Sequence, residues 1–78
     1  MSDAPPSWSL AFLTEEWAWE AAIKADGRDA AIAAAREALE AVVREERPEL
    51  ACVKLLEGER RIGVWDWVAG RAVWTAER

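Results

Sequence analysis

From residue 51 to residue 76 the chain alternates between apolar and polar positions with a period of two, broken twice at glycine-containing dipeptides. That pattern constrains the fold more than any other feature of the sequence. Ala51-Cys52-Val53-Lys54-Leu55-Leu56 reads as one strand, Glu57-Gly58 as a two-residue turn, and residues 60–68 as the returning strand. Ala69-Gly70 reads as a second turn, leading into Ala72-Val73-Trp74-Thr75-Ala76. Three consecutive strands joined by tight turns form an antiparallel meander, and such a sheet must bury at least one of its faces.

The cover comes from upstream. Residues 30–46 are rich in alanine and carry an apolar stripe of Ile32, Ala35, Leu39, Val42 and Val43, flanked by Ala31 and Ala38. Asp29 is the expected N-cap, and Pro48 drives Arg47 out of helical geometry and ends the element. Glu40 and Arg44 stand in the favourable i,i+4 order on the polar side. A face of small residues lets a helix approach a sheet closely, leaving space for bulky sheet side chains.

Ahead of the helix, Trp8, Leu10 and Phe12 alternate with smaller residues and predict a first strand over 8–13, with Thr14-Glu15-Glu16 as the turn. Residues 17–25 admit two readings. Thr14 could cap a helix that Gly27 terminates, yet Trp17, Trp19, Ala21, Ile23 and Ala25 alternate without a break. On a helix the two tryptophans would point about 200° apart and share no stripe, so a strand is the better reading. Residues 1–7 are polar, contain Pro5-Pro6, and predict a disordered lead-in. Residues 8–78 are then one α+β domain: an antiparallel sheet of four or five strands, order β-β-α-β-β-β, with one helix packed on one face.

The chain is small, with 78 residues, for a single core, and its six tryptophans partly compensate. Counting through Glu57-Gly58 and Ala69-Gly70 pairs Val53 with Ile62, Cys52 with Gly63, and Trp65 with Trp74. One face of the meander would then carry Ala51, Val53, Leu55, Ile62, Val64 and Val73, suited to the helix. The other would carry Trp65, Trp67 and Trp74 with Lys54 and Arg61, the cations beside the rings. The register has a weak point, because it leaves Asp66 on the aliphatic face. A bulge at Gly63 would shift the pairing by one and turn Trp65 and Trp67 inward.

Catalytic chemistry has little to work with. The chain has no His, which excludes Ser-His and Cys-His nucleophilic centres, and one Cys, at position 52. Lys54 on the same face would lower the pKa of that thiol slightly, but a small residue in a strand is foremost structural. Zinc and calcium sites lack their ligand clusters, the glycines are scattered, and Asp66 has no second catalytic group beside it. The expectation is a protein that is not an enzyme and holds no cofactor or metal.

The net charge is −5, and residues 49–78 balance five bases against five acids, so no basic stripe exists for nucleic acid. No apolar run reaches the roughly 20 residues of a membrane span, and the first residues lack the pattern of a signal peptide. A single cysteine fits a reducing compartment, and a cytoplasmic protein is expected. An exposed patch of Trp and Arg is the composition of a protein-binding surface, which makes Trp65, Trp67, Trp74, Arg61, Lys54 and Arg71 the candidate partner-binding residues. The partner is a protein of unknown identity or a second copy of the chain. A small ligand or saccharide stacking on the Trp rings is the competing reading, thinned by the absence of Asn, Gln, His and Tyr. The strand-to-helix junction Ile23-Lys24-Ala25-Asp26-Gly27-Arg28-Asp29-Ala30-Ala31-Ile32-Ala33-Ala34-Ala35 resembles one common in small sheet-plus-helix domains, and the antitoxin domains of some toxin–antitoxin pairs and several small phage-encoded inhibitors use a similar order of elements. An inhibitor or antitoxin-like protein that blocks a macromolecular target is a further alternative expectation, and the likeness assigns no residue a role.

Overall fold

The computed structural model describes residues 7–77. Five strands and one helix follow in chain order: β1 (Trp8–Thr14), β2 (Ala18–Ile23), α1 (Arg28–Glu46), β3 (Ala51–Glu57), β4 (Arg60–Val68) and β5 (Arg71–Ala76). The strands form one antiparallel sheet in the spatial order β2-β1-β3-β4-β5. The fold is α+β with the expected β-β-α-β-β-β order. The expected lead-in, apart from Ser7, lies outside the described residues. Ser7 itself accepts a 2.7 Å hydrogen bond from the Gly58 amide, which carries the β1–β3 pairing past the end of both strands.

Residues 18–23 form a strand, as their alternation predicts. The turn before it is fixed by Thr14, whose hydroxyl accepts hydrogen bonds from the amides of Glu16 and Trp17, both at 3.2 Å. Glu15 in that turn reaches across to the loop before β3. Its carboxylate accepts the amides of Glu49 at 2.7 Å and Leu50 at 3.1 Å. These amides hold the Glu15 carboxyl below its ordinary pKa, Glu49 being the largest cause.

The helix starts two residues earlier than expected. Gly27 precedes it without a side-chain cap, and Asp29 lies inside the first turn, where its charge favours the helix dipole. At the other end Arg47 takes left-handed geometry, donates its amide to the Val43 carbonyl, and is followed by Pro48. Glu40 pairs backward with Arg36 at 3.6 Å in place of the expected Arg44. Both side chains are well exposed, so the pair contributes a few tenths of a kcal/mol.

The core lies between α1 and one face of the sheet. Ala31, Ala35 and Leu39 of the helix meet Trp8, Leu10, Phe12, Val53, Leu55, Ile62 and Trp65 of the sheet, all buried. Truncating a fully enclosed side chain such as Leu55 or Leu39 to alanine would cost about 2–5 kcal/mol. No helix among the described residues is long and apolar enough to cross a membrane.

The register of the second hairpin differs from the expected one in two steps. Glu57 pairs with Arg60, so the turn is Gly58-Glu59, with Gly58 at φ 63° in the first central position that suits a type II′ turn. That change moves the pairing by two and preserves the faces. Leu56 then pairs with Arg61 but Leu55 pairs with Gly63, leaving Ile62 as the extra residue of a β-bulge. One extra residue exchanges the faces of everything beyond it. Val53 pairs with Trp65, Lys54 with Val64 and Cys52 with Asp66. The bulge sits at Ile62, immediately before Gly63.

Candidate functional site

Beyond the bulge the tryptophans turn towards the helix. Trp65 is 8% exposed, and its indole N–H donates to the Ile32 carbonyl of α1 at 2.9 Å. A buried indole needs such a partner, and the alanine face of the helix leaves the space for the ring. Trp74 packs against it, the ring centroids 5.3 Å apart, and Trp67 is partly buried against the same core. The cation over Trp65 is Arg36 of the helix, 5.5 Å from the ring centre, not Lys54 or Arg61.

The expected face of three tryptophans with Lys54 and Arg61 is therefore divided by the sheet. Trp65, Trp67 and Trp74 lie on the helix side. Lys54, Arg61, Arg71 and Val68 lie on the other, together with Val64, Asp66 and Val73, which the simple register had assigned to the helix side. The physical reason is plain at both ends. The bulge moves the Asp66 carboxylate out from under the helix, where it would be desolvated without a partner, and buries the large ring of Trp65 in its place.

The helix-free face is built by simple rungs. Lys54 is half-buried near its centre, between Ala11 of β1 and Val64 of β4. The next rung runs Leu13, Cys52, Asp66, Val73, and the opposite one Ser9, Leu56, Arg61. Arg61 is held by Glu77 at 3.0 Å, while Lys54 has no ion pair among the described residues. Glu20, Asp66 and Glu77 stand against Lys54, Arg61, Arg71 and, just past β2, Lys24, so this face does not share the acidic balance of a chain of net charge −5.

One corner of the face is apolar. Leu13 is 47% exposed, Val68 51% and Leu50 68%. They line a shallow groove of about 400 Å³, together with Cys52, Asp66 and the edge of the partly buried Trp67. The Cys52 thiol is free, and its pKa is raised. Burial is the largest cause, Asp66 across the rung adds to it, and Lys54 opposes both, so the expected lowering by Lys54 is outweighed. The thiol is accordingly a weak nucleophile at neutral pH.

Sequence reasoning missed Leu13, Leu50 and Val68 as surface residues. Their signal was present in part, since Leu13 opposes the alternation of Trp8, Leu10 and Phe12 and so had to face away from the helix. One large aromatic also stands outside the helix's cover. Trp19 of β2 is 48% exposed and stacks flat on Phe12, 4.4 Å between centroids and 7° between planes. Its neighbour Trp17 donates its indole N–H to Glu46 at the end of α1, at 2.9 Å.

No family model matches this chain, and neither a curated protein nor a solved structure shows significant similarity to it.

Proposed function

We propose that this protein is a non-enzymatic interaction module that binds a protein partner through the helix-free face of its sheet. One observation carries the reading: Leu13, Leu50 and Val68, each about half exposed or more, converge at one corner of that face. Small proteins seldom leave clustered aliphatic side chains open to water without a use. Lys54, Arg61 and Arg71 with Asp66 supply the polar surround that such a contact takes. The face differs from the Trp and Arg surface expected from the sequence in that aliphatic residues replace Trp65 and Trp74, while Trp67 still borders the groove and the three cations remain. An inhibitor that blocks a macromolecular target would use the same contact. A saccharide platform is less well supported, because stacking needs bare ring faces and Trp65 is covered by the helix. The module belongs in the cytoplasm on this reading, in keeping with its single free thiol.

The test uses Cys52, which lies within the face. A partner captured from the native host by the wild-type chain should be lost to Val68→Asp and retained by Arg44→Ala on the polar side of α1. The purified complex should alkylate at Cys52 several-fold more slowly than the free protein. Capture indifferent to Val68→Asp, or a thiol that labels equally fast in the complex, would remove the helix-free face from the interaction.

A further inference from the structure

Among the described residues the sheet has two free edges, β2 and β5. A bare edge presents unpaired backbone donors and acceptors to any other extended chain, and proteins usually guard it with proline, bulges or repeated lysine. β2 has no such guard. Its pairing with β1 is uninterrupted from Ala18 to Leu13's rung through Ile23, it contains no proline, and most of its side chains are exposed.

From this edge into the residue just past it the sequence runs Glu20-Ala21-Ala22-Ile23-Lys24, which is charge-complementary to its own reverse about Ala22. We propose that the protein forms a two-fold dimer in which β2 pairs antiparallel with β2 of a second copy, the axis passing at Ala22. Glu20 then stands opposite Lys24 of the partner subunit, and Lys24 opposite Glu20 of the partner subunit. Between them Ala21 meets Ile23 of the partner subunit on the helix side. Every such pair shares a face, as the period of a strand demands. Trp19 comes opposite Ala25 of the partner subunit, whose small side chain leaves room for the half-exposed ring.

Neighbouring alignments are worse. An axis at Ala21 sets Glu20 against alanine and leaves both charges without a partner. An axis at Glu20 opposes two carboxylates. At the other edge, Arg71–Ala76, the acid that could answer Arg71 is Glu77 just past the strand, and it is already held by Arg61 at 3.0 Å. The dimer would be one continuous ten-stranded sheet, and it leaves the helix-free face open, so it stands independently of the partner-binding reading above.

Sedimentation over a concentration series tests it with charge reversal at two exposed positions, where far-UV circular dichroism confirms that the variants fold. The wild-type chain should sediment as a monomer–dimer equilibrium. Glu20→Lys and Lys24→Glu should each raise the dissociation constant at least about tenfold, since both replace two attractive cross-strand pairs by repulsive ones. An equimolar mixture of the two variants should recover dimer, because every pair in the heterodimer is again attractive, and the double variant should recover it alone. A wild-type chain that stays monomeric overturns the proposal and leaves the partner-binding face untouched. A dimer that ignores both reversals also overturns it, and if Val68→Asp then abolishes that dimer, self-association belongs to the helix-free face.

Discussion

The ring of Trp74 lies directly on Gly63, so closely that a Cβ at position 63 would overlap two atoms of the indole and come within 2.7 Å of the Thr75 carbonyl oxygen. The glycine is required there by what covers it and not by its backbone angles, which are ordinary. Gly63 stands next to the bulged Ile62, so the contact and the bulge together fix which way β4 presents its side chains. Gly63→Ala should destabilise the protein by about 2–3 kcal/mol, as overpacking against a backbone atom does. The midpoint of urea denaturation measures it, and an unchanged midpoint would mean that Trp74 does not lie on this glycine.

The second turn of the meander carries strain that can be relieved. Ala69 has φ 51° and Gly70 φ 80°, the pair of positive angles that defines a type I′ turn. Alanine is disfavoured in left-handed geometry by about 1–2 kcal/mol, and asparagine tolerates it better. Ala69→Asn should therefore stabilise by about 0.5–1 kcal/mol, raising Tm by several degrees in a thermal melt.

The two faces predict opposite responses to substitution. Trp65→Ala removes a buried ring and strands the Ile32 contact, at a cost of about 3–5 kcal/mol. Val68→Asp, on a half-exposed side chain at the end of β4, should cost less than about 1 kcal/mol. Comparing their denaturation curves separates a structural surface from an available one.

Acid should loosen the junction between the first turn and β3. The Glu15 carboxyl is held below its ordinary pKa by the Glu49 amide first, then by its own amide and that of Leu50. A depressed carboxylate pKa means that its stabilising contribution is complete above the unfolded value and is lost as pH falls through the folded value. The amide resonances of Glu49 and Leu50 should shift together with a midpoint below that of an unperturbed glutamate. Glu15→Ala should abolish that titration and speed exchange of both amides at neutral pH.

Much of this fold is legible in the sequence, for local reasons. The alternation through Trp17, Trp19, Ala21 and Ile23 outweighs the helix propensity of the alanines because only a strand puts those side chains on one side. The helix and the Ala69-Gly70 turn are fixed by short-range chemistry. The face of the tryptophans was not legible in the same way. A bulge adds one residue without any obligatory sequence signal, and here its support comes from the Trp74 ring on the neighbouring strand. The one clue was Asp66, whose placement under the helix in the unbulged register left a carboxylate without a partner. Following that misfit leads to the observed arrangement, with the rings inward and the cations out.

The central claim is that β4 turns its tryptophans to the helix and leaves the aliphatic and cationic face open. Hydrogen exchange at the Trp65 indole tests it most directly, since that N–H donates to the Ile32 carbonyl. The account predicts an indole proton protected from exchange, with nuclear Overhauser contacts to Ile32 and Arg36 of the helix. An indole that exchanges as fast as free tryptophan and shows no contact with the helix would return the tryptophans to the open face and contradict the account.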